Sequence, residues 1–193
     1  MRPEELLQIM GQAAKLKQAT RHCWIEADRK ESVADHSWRM ALMAMLVSHE
    51  EEFAMLDMNR VIRMCLIHDL GESFTGDIPT FVKTGQDAKT EDDIYLEWVE
   101  SFPEEIRIEW MELLDEMIAL ETPEAKLYKA LDKLEAVLTH DETSIDTWLP
   151  LEYELQFTYG ADNVKHSRFL SELKAAIDQM TREKIAKEGD RAQ

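Results

Sequence analysis

The sequence predicts an all-α protein, a bundle of about seven helices joined by short connections. The 193 residues include only six glycines and five prolines, too few turn-formers for an all-β chain of this length. Hydrophobic residues make up 45% and recur mainly at helical spacing. Charged residues make up 32%, which leaves ample apolar material for a core and rules out a disordered chain.

Leu6, Leu7, Met10 and Leu16 mark an amphipathic first helix over 3–19. Residues 20–30 (TRHCWIEADRK) lack helical periodicity and read as a connecting loop. Ser32 is the N-cap of a second helix over 33–49, apolar nearly all round and therefore expected to be buried. Asp57 caps a third, in which Val61, Ile62, Met64, Cys65, Leu66 and Ile67 lead into His68 and Asp69. Gly71, Gly76 and Pro79 then break the pattern and leave 73–89 as a long loop or short irregular helix. Long loops inside compact domains tend to carry function. Thr90 opens a helix to Ser101, and Pro103 begins another to Leu120. Thr122-Pro123 starts a helix over 123–140 with Leu127, Leu131, Leu134 and Leu138 as its core stripe. Pro150 begins a short segment closed by Gly160, and the last helix covers 163–187 before a charged tail over 188–193. No internal repeat or linker interrupts the chain, so 1–193 is expected to form one domain, with a functional core over 15–140 and C-terminal helices over 150–187.

Forty acidic residues against 22 basic ones give a net charge of −18. That balance argues against a nucleic-acid partner bound through a basic surface, because phosphate neutralisation supplies most of such affinity. A small phosphorylated substrate held at a local cation remains compatible with it. The longest strongly apolar run, Met40 to Val47, is far short of the ~20 residues that cross a membrane. Cys23 and Cys65 cannot build a disulfide framework, and the first residues lack the apolar centre of a signal peptide. The expected setting is the cytoplasm, away from any membrane.

Two His-Asp pairs occur, His68-Asp69 and His140-Asp141, and only context separates them. The first ends an apolar helix, where burial is expected. The second ends an amphipathic helix, runs into Glu-Thr-Ser and reads as a solvated helix end. A buried imidazole and carboxylate need partners. His36 and Asp132 are candidates, each on an otherwise largely apolar helix face. Taken singly, His36 is explained by a backbone carbonyl and Asp132 by a neighbouring Lys or Arg. Together, two His and two Asp from three buried helices form a mixed N/O set suited to a divalent transition metal. Four ligands leave positions open for water and substrate, as a catalytic site requires. Glu72 lies i+4 from His68 and i+3 from Asp69, so a continuing helix presents all three on one side.

In chain order, His36, His68-Asp69 and Asp132 match the H…HD…D signature, and the chain resembles the HD-domain metal-dependent phosphohydrolases. The segments ESVADHSWRMALMA, CLIHDLGESFTGDIPTFVK and KALDKLEAVL resemble the branch that contains the 5′-deoxynucleotidases, over residues 15–140. The resemblance implies metal ligands at His36, His68, Asp69 and Asp132. It implies an acidic residue after the HD pair, here Glu72, to orient or deprotonate water or to protonate the leaving group. It places Asp77, in GDIPT, by the substrate sugar, with Thr80 and Lys83 as further candidates along that loop. Arg21 and Trp24 resemble the family's basic-plus-aromatic pair that holds phosphate and nucleoside, although His22 and Cys23 intervene here. Lys133, beside a proposed ligand, is another phosphate candidate. HD proteins with two metals place extra histidines between the HD pair and the last Asp; this chain has none between Asp69 and Asp132, so a mononuclear site is expected.

The implied activity is removal of the 5′-phosphate from a (deoxy)nucleoside monophosphate with one divalent ion (Mn, Co, Fe or Zn). The alternative is hydrolysis of a nucleoside polyphosphate or alarmone. A more remote one is a non-catalytic helical module pinned by its metal. The resemblance further implies a homodimer.

Overall fold

A computed structural model describes residues 1–189. The order is α1 (Pro3–Ala13), β1 (Thr20–Glu26), β2 (Arg29–Ser32), α2 (Val33–Val47), α3 (Met58–Ile67), α4 (Glu72–Thr75), α5 (Gly85–Glu100), α6 (Glu104–Ala119), α7 (Pro123–Glu142), α8 (Glu152–Thr158) and α9 (Arg168–Glu188). The seven expected long helices are α1–α3, α5–α7 and α9, while α4 and α8 add short turns. From residue 190 on, the expected charged tail lies outside the described residues.

Helix α7 is the axis of the molecule. It packs on α2, α3, α6 and α9, and β1 also lies against it. Leu127, Leu131 and Leu134 are completely buried there, and they meet Met40 of α2, Met64 of α3, and Leu170 and Ile177 of α9 in one core. Each such burial stabilises by about 1.5–3 kcal/mol. Local chemistry starts the helices where the packing needs them. The Ser32 hydroxyl accepts from the Asp35 N–H and the Asp35 carboxylate from the Ser32 N–H, so α2 begins one turn before His36. Asp57 caps α3 through the Arg60 N–H, and Thr122 caps α7 through the Ala125 N–H.

Several boundaries differ from expectation for identifiable reasons. Residues 20–30 form most of an antiparallel hairpin rather than a loop, with Trp24 opposite Lys30 and Glu26 opposite Arg29. Thr20, Trp24 and Ile25 suit a strand, and Ala27-Asp28 make a two-residue connection. Helix α1 stops at Ala13, and a 3₁₀ turn over Ala14–Lys17 drives Leu16 into the core. Helix α5 starts at Gly85, capped by Thr84 with Asp87, rather than at Thr90. Helix α9 starts at Arg168 rather than 163, where Ser167 caps it and Glu52 accepts the N–H groups of Arg168 and Phe169. Helix α2 is buried along one face only. Its partners α3 and α7 leave Trp38, Leu42, Met45 and Leu46 exposed.

Candidate active site

The buried face of α2, the C-terminal end of α3 and the middle of α7 bring four side chains together. His36 is fully buried, and its Nδ1–H donates to Glu135 on α7. Its Nε2 lies 3.3 Å from Asp132 Oδ1 and 3.9 Å from Asp69 Oδ2. His68 caps the end of α3, and its Nδ1–H donates to the Cys65 carbonyl at 3.0 Å. That leaves its Nε2 at 2.9 Å from Asp69 Oδ2. The ligand atoms of His36, His68 and Asp69 all lie within 4.8 Å of one another. Asp132 reaches the cluster through His36, and its other oxygen faces Lys129 Nζ at 2.8 Å and Lys133 Nζ at 3.3 Å.

This donor set fits a divalent cation. Both histidines spend Nδ1 on a fixed acceptor, so the tautomer that donates there leaves a lone pair at Nε2. Neither buried Nε2 has a hydrogen-bond partner among the described residues. Buried nitrogens with unmet bonding capacity beside two carboxylates are what an N/O metal site requires. The electrostatics agree. Burial opposes charge on Asp69, yet His68 and His36 hold its carboxyl well below the usual carboxylate range. Burial likewise opposes charge on Asp132, which Lys129 and Lys133 hold down. For His36, burial and Arg21 disfavour the imidazolium, but Asp132 and Glu135 outweigh them and hold it up at about 9.

A cleft of about 200 Å³ opens above the cluster, with Asp69, Glu72 and Asp132 at its base. Glu72 begins α4 and is buried, with one carboxylate oxygen that has no hydrogen-bond partner among the described residues. Burial and the neighbouring Asp69, Asp77 and Glu91 push its carboxyl up to about 10. Gly71 permits this placement, because a Cβ there would meet Glu91 Cγ at 3.0 Å and Tyr95 Cβ at 3.3 Å on α5. Gly76, at φ +75°, then turns the chain so that Asp77 also faces the cleft. Burial raises the Asp77 carboxyl.

Arg21, Thr80, Lys83 and Lys133 line the same cleft. Arg21 is held by Glu31, with Nε 3.2 Å from Oε2, and its buried Nη1 has no partner among the described residues. Lys83 is tied to Glu91 at 2.7 Å. Trp24 is not in the lining, contrary to expectation. The hairpin register sets it opposite Lys30, whose ammonium stands 5.3 Å from the indole centroid.

His140-Asp141 is corrected as well. Both residues are buried rather than solvated. Asp141 accepts from the Thr181 hydroxyl on α9 at 2.7 Å, while His140 lines the cleft and lies 3.2 Å from Glu152 of α8. Other residues went unremarked in the sequence. Glu135 orients His36, and the Thr139 hydroxyl donates to Glu135 at 2.6 Å and lies 3.3 Å from Glu31, linking the His36 support to the Arg21 support. Glu135 was findable, since it lies one turn beyond Asp132 on the same helix face.

The comparisons with known proteins bear on this geometry. The model of the HD domain family matches residues 13–174. The chain belongs to the HD domain family. Among its relatives is the 5′-deoxynucleotidase HDDC2 of Homo sapiens, 33% identical over 141 residues, spanning 71% of this chain and 67% of the relative. The Dictyostelium discoideum protein of the same name is 34% identical, over 69% of this chain and 73% of its own length. HD-family membership alongside these relatives makes the chain a phosphohydrolase enzyme. The fold is shared with a solved structure of a predicted metal-dependent phosphohydrolase from Magnetospirillum magnetotacticum, at TM-score 0.80 and 24% identity, covering 95% of this chain and 94% of that one. It is also shared with a cyanophage S-2L HD phosphohydrolase solved with dA and one catalytic Zn²⁺, at TM-score 0.56 and 22% identity, covering 92% and 96%. Among the described residues, no helix of this HD protein is long and apolar enough to cross a membrane.

Proposed function

We propose that the protein hydrolyses the 5′-phosphate of deoxynucleoside monophosphates, using one divalent cation held by His36, His68, Asp69 and Asp132. The observation that carries this reading is the pair of buried, unpartnered imidazole nitrogens beside two carboxylates at the base of a cleft. The names of the relatives supply the substrate class. Bound there, a divalent cation supplies Lewis acidity, which lowers the pKa of water and offsets charge on the phosphoryl oxygens.

The chain's own residues do the rest. Arg21 clamps the phosphate through its unpartnered Nη1, with Lys133 beside it. Water adds to phosphorus as the bond to the 5′-oxygen breaks; Glu72, buried beside Asp69 and Asp77, gives a proton to the departing oxygen, while one water proton stays on the phosphate and the other returns to Glu72. Asp77 faces the sugar, and Thr80 and Lys83 close the loop over it. Glu135 and the Cys65 carbonyl keep both imidazoles aimed at the cleft base. The donor set suits manganese, cobalt, iron or zinc.

The test is orthophosphate release from mono-, di- and triphosphates, each with these four ions. Orthophosphate from a deoxynucleoside monophosphate, with release lost after chelation, is the expected result. Pyrophosphate or triphosphate as the sole product overturns it.

We further propose a homodimer and a cytoplasmic setting. Trp38, Leu42, Met45 and Leu46 form an exposed apolar stripe on α2, with Trp38 and Leu46 each 63% accessible. Cys23 and Cys65 are both free and buried. Light scattering should give a mass near twice 22.5 kDa. Leu46→Glu should bring it down to one chain.

A further inference from the structure

The cleft has two chemically different ends. At one lie the cation cluster, Lys129, Lys133 and Arg21. At the other, His22 of β1, Phe81 of the following loop, and Glu152 and Gln156 of α8 gather around His140. Helix α7 measures the separation: Asp132, Lys133, Ala136 and His140 share its cleft-facing side. His140 is eight residues past Asp132, about 12 Å along the axis. That span matches the reach of a purine nucleotide from phosphate to the outer edge of the base. Ala136, halfway, has no side chain beyond Cβ and leaves the waist of the cleft open where a sugar would lie.

The far end is built for a flat, uncharged, hydrogen-bonding group. Glu152 is almost completely buried, accepts the Leu149 N–H at 2.6 Å, and lies 3.2 Å from both His22 Nε2 and His140 Nε2. A carboxylate in that position repels a phosphate, which fixes the orientation of a nucleotide in the cleft. Phe81 meets His22 edge-on, with centroids 5.4 Å apart, so ring surface borders the space. Gln156 is buried, and its Nε2 has no hydrogen-bond partner among the described residues. Ring faces beside a side-chain amide are the groups with which proteins stack and pair nucleobases.

We propose that this end of the cleft receives the nucleobase, and that Gln156 and His140 make the enzyme selective for purines. The inference rests on the nucleotide reading above and adds the specificity that the metal site does not supply. A site that pairs a polar edge discriminates strongly, because an analogue that lacks the edge leaves buried groups unsatisfied.

The experiment compares kcat/KM for dAMP, dGMP, dCMP and dTMP in the wild type, Gln156→Ala and Gln156→Glu, with circular dichroism and metal content confirming intact folds. The wild type should favour a purine over both pyrimidines by at least about tenfold. Gln156→Ala should shrink that ratio to within about threefold, mainly through KM for the purine. Gln156→Glu keeps the size but changes donor to acceptor, and should reorder the bases. A wild-type ratio near one overturns the proposal, as do equal losses on all four nucleotides. Calorimetric titration with deoxyadenosine separates this inference from the activity it rests on. If no nucleotide is hydrolysed but deoxyadenosine binds the wild type and not Gln156→Ala, the base site stands and the proposed reaction falls. If nucleotides are hydrolysed while both proteins bind the nucleoside equally, the reverse holds.

Discussion

The two His-Asp pairs share a dipeptide and diverge in everything else. His68-Asp69 straddles the end of α3, where the backbone leaves the helix, and both side chains turn toward one centre, Nε2 to Oδ2 at 2.9 Å. His140-Asp141 lies inside α7, where successive residues point about 100° apart. One side chain enters the cleft and the other turns to α9. Adjacency in sequence thus becomes adjacency in space only where the helix stops. The second pair is the more deeply buried one, with His68 and Asp69 half-buried, so direction rather than burial sets the first pair apart.

The sharpest way to break the comparison is to remove the carboxylate from each pair. Asp69→Asn should abolish phosphate release, by more than about a thousandfold, and empty the cation site, because a carboxylate ligand is lost from a four-residue set. Asp141→Asn should leave metal content and turnover near wild type. Metal analysis of the two purified variants decides it, and equal metal loss in both would end the distinction.

Next in size is the acid behind the first pair. Glu72→Gln should lower kcat by about a hundredfold or more while metal stays bound, since general acid catalysis contributes on that scale. Metal retained with unchanged kcat would remove Glu72 from the reaction.

The same carboxyl predicts a pH effect on the chelated protein. Burial and the acids around it raise Glu72 from 4.5 to about 10 in the folded state. Across that window the folded chain binds a proton that the unfolded chain has released. Stability is therefore fully present below the lower value and falls as pH rises toward the upper one. The melting temperature of chelated wild type should drop between pH 5 and pH 9 more steeply than that of chelated Glu72→Gln. Parallel slopes would mean that Glu72 is not the group responsible.

How much of this was legible follows from where each signal resides. The convergence of His36, His68, Asp69 and Asp132 was legible because these residues interrupt apolar helix faces, and a polar side chain on such a face needs a reason. Glu135 carried the same signal one turn after Asp132. The far end of the cleft carried none. His140 follows the last leucine of its stripe and precedes Glu-Thr-Ser, the composition of a solvated end. What buries it is Glu152 and Trp148, brought back by a turn after α7, and Trp148 Nε1 donates to the His140 carbonyl at 3.2 Å. That contact is tertiary and leaves no periodicity. The hairpin was hidden for a related reason. Its register is irregular between Thr20 and Trp24 and again before Glu26, which erases strict alternation. The register in turn decides that Arg21 faces the cleft and Trp24 does not.

The smallest expected effect concerns the second pair's carboxylate alone. Asp141 accepts a hydrogen bond from the buried Thr181 hydroxyl, and the Ile177 carbonyl lies 3.1 Å away as an alternative acceptor. Asp141→Asn keeps the shape and an acceptor oxygen, so the loss should be below about 1 kcal/mol. Asp141→Ala removes the acceptor, but Thr181 can still satisfy its proton on Ile177, which limits the cost to about 1–2 kcal/mol. Urea unfolding of the two variants measures both. The order wild type, Asn, Ala, with an unchanged m-value, is the expected result. If Asp141→Ala instead lost turnover along with stability, the α7–α9 contact would be positioning His140 and the cleft, and the two halves of the second pair would be coupled after all.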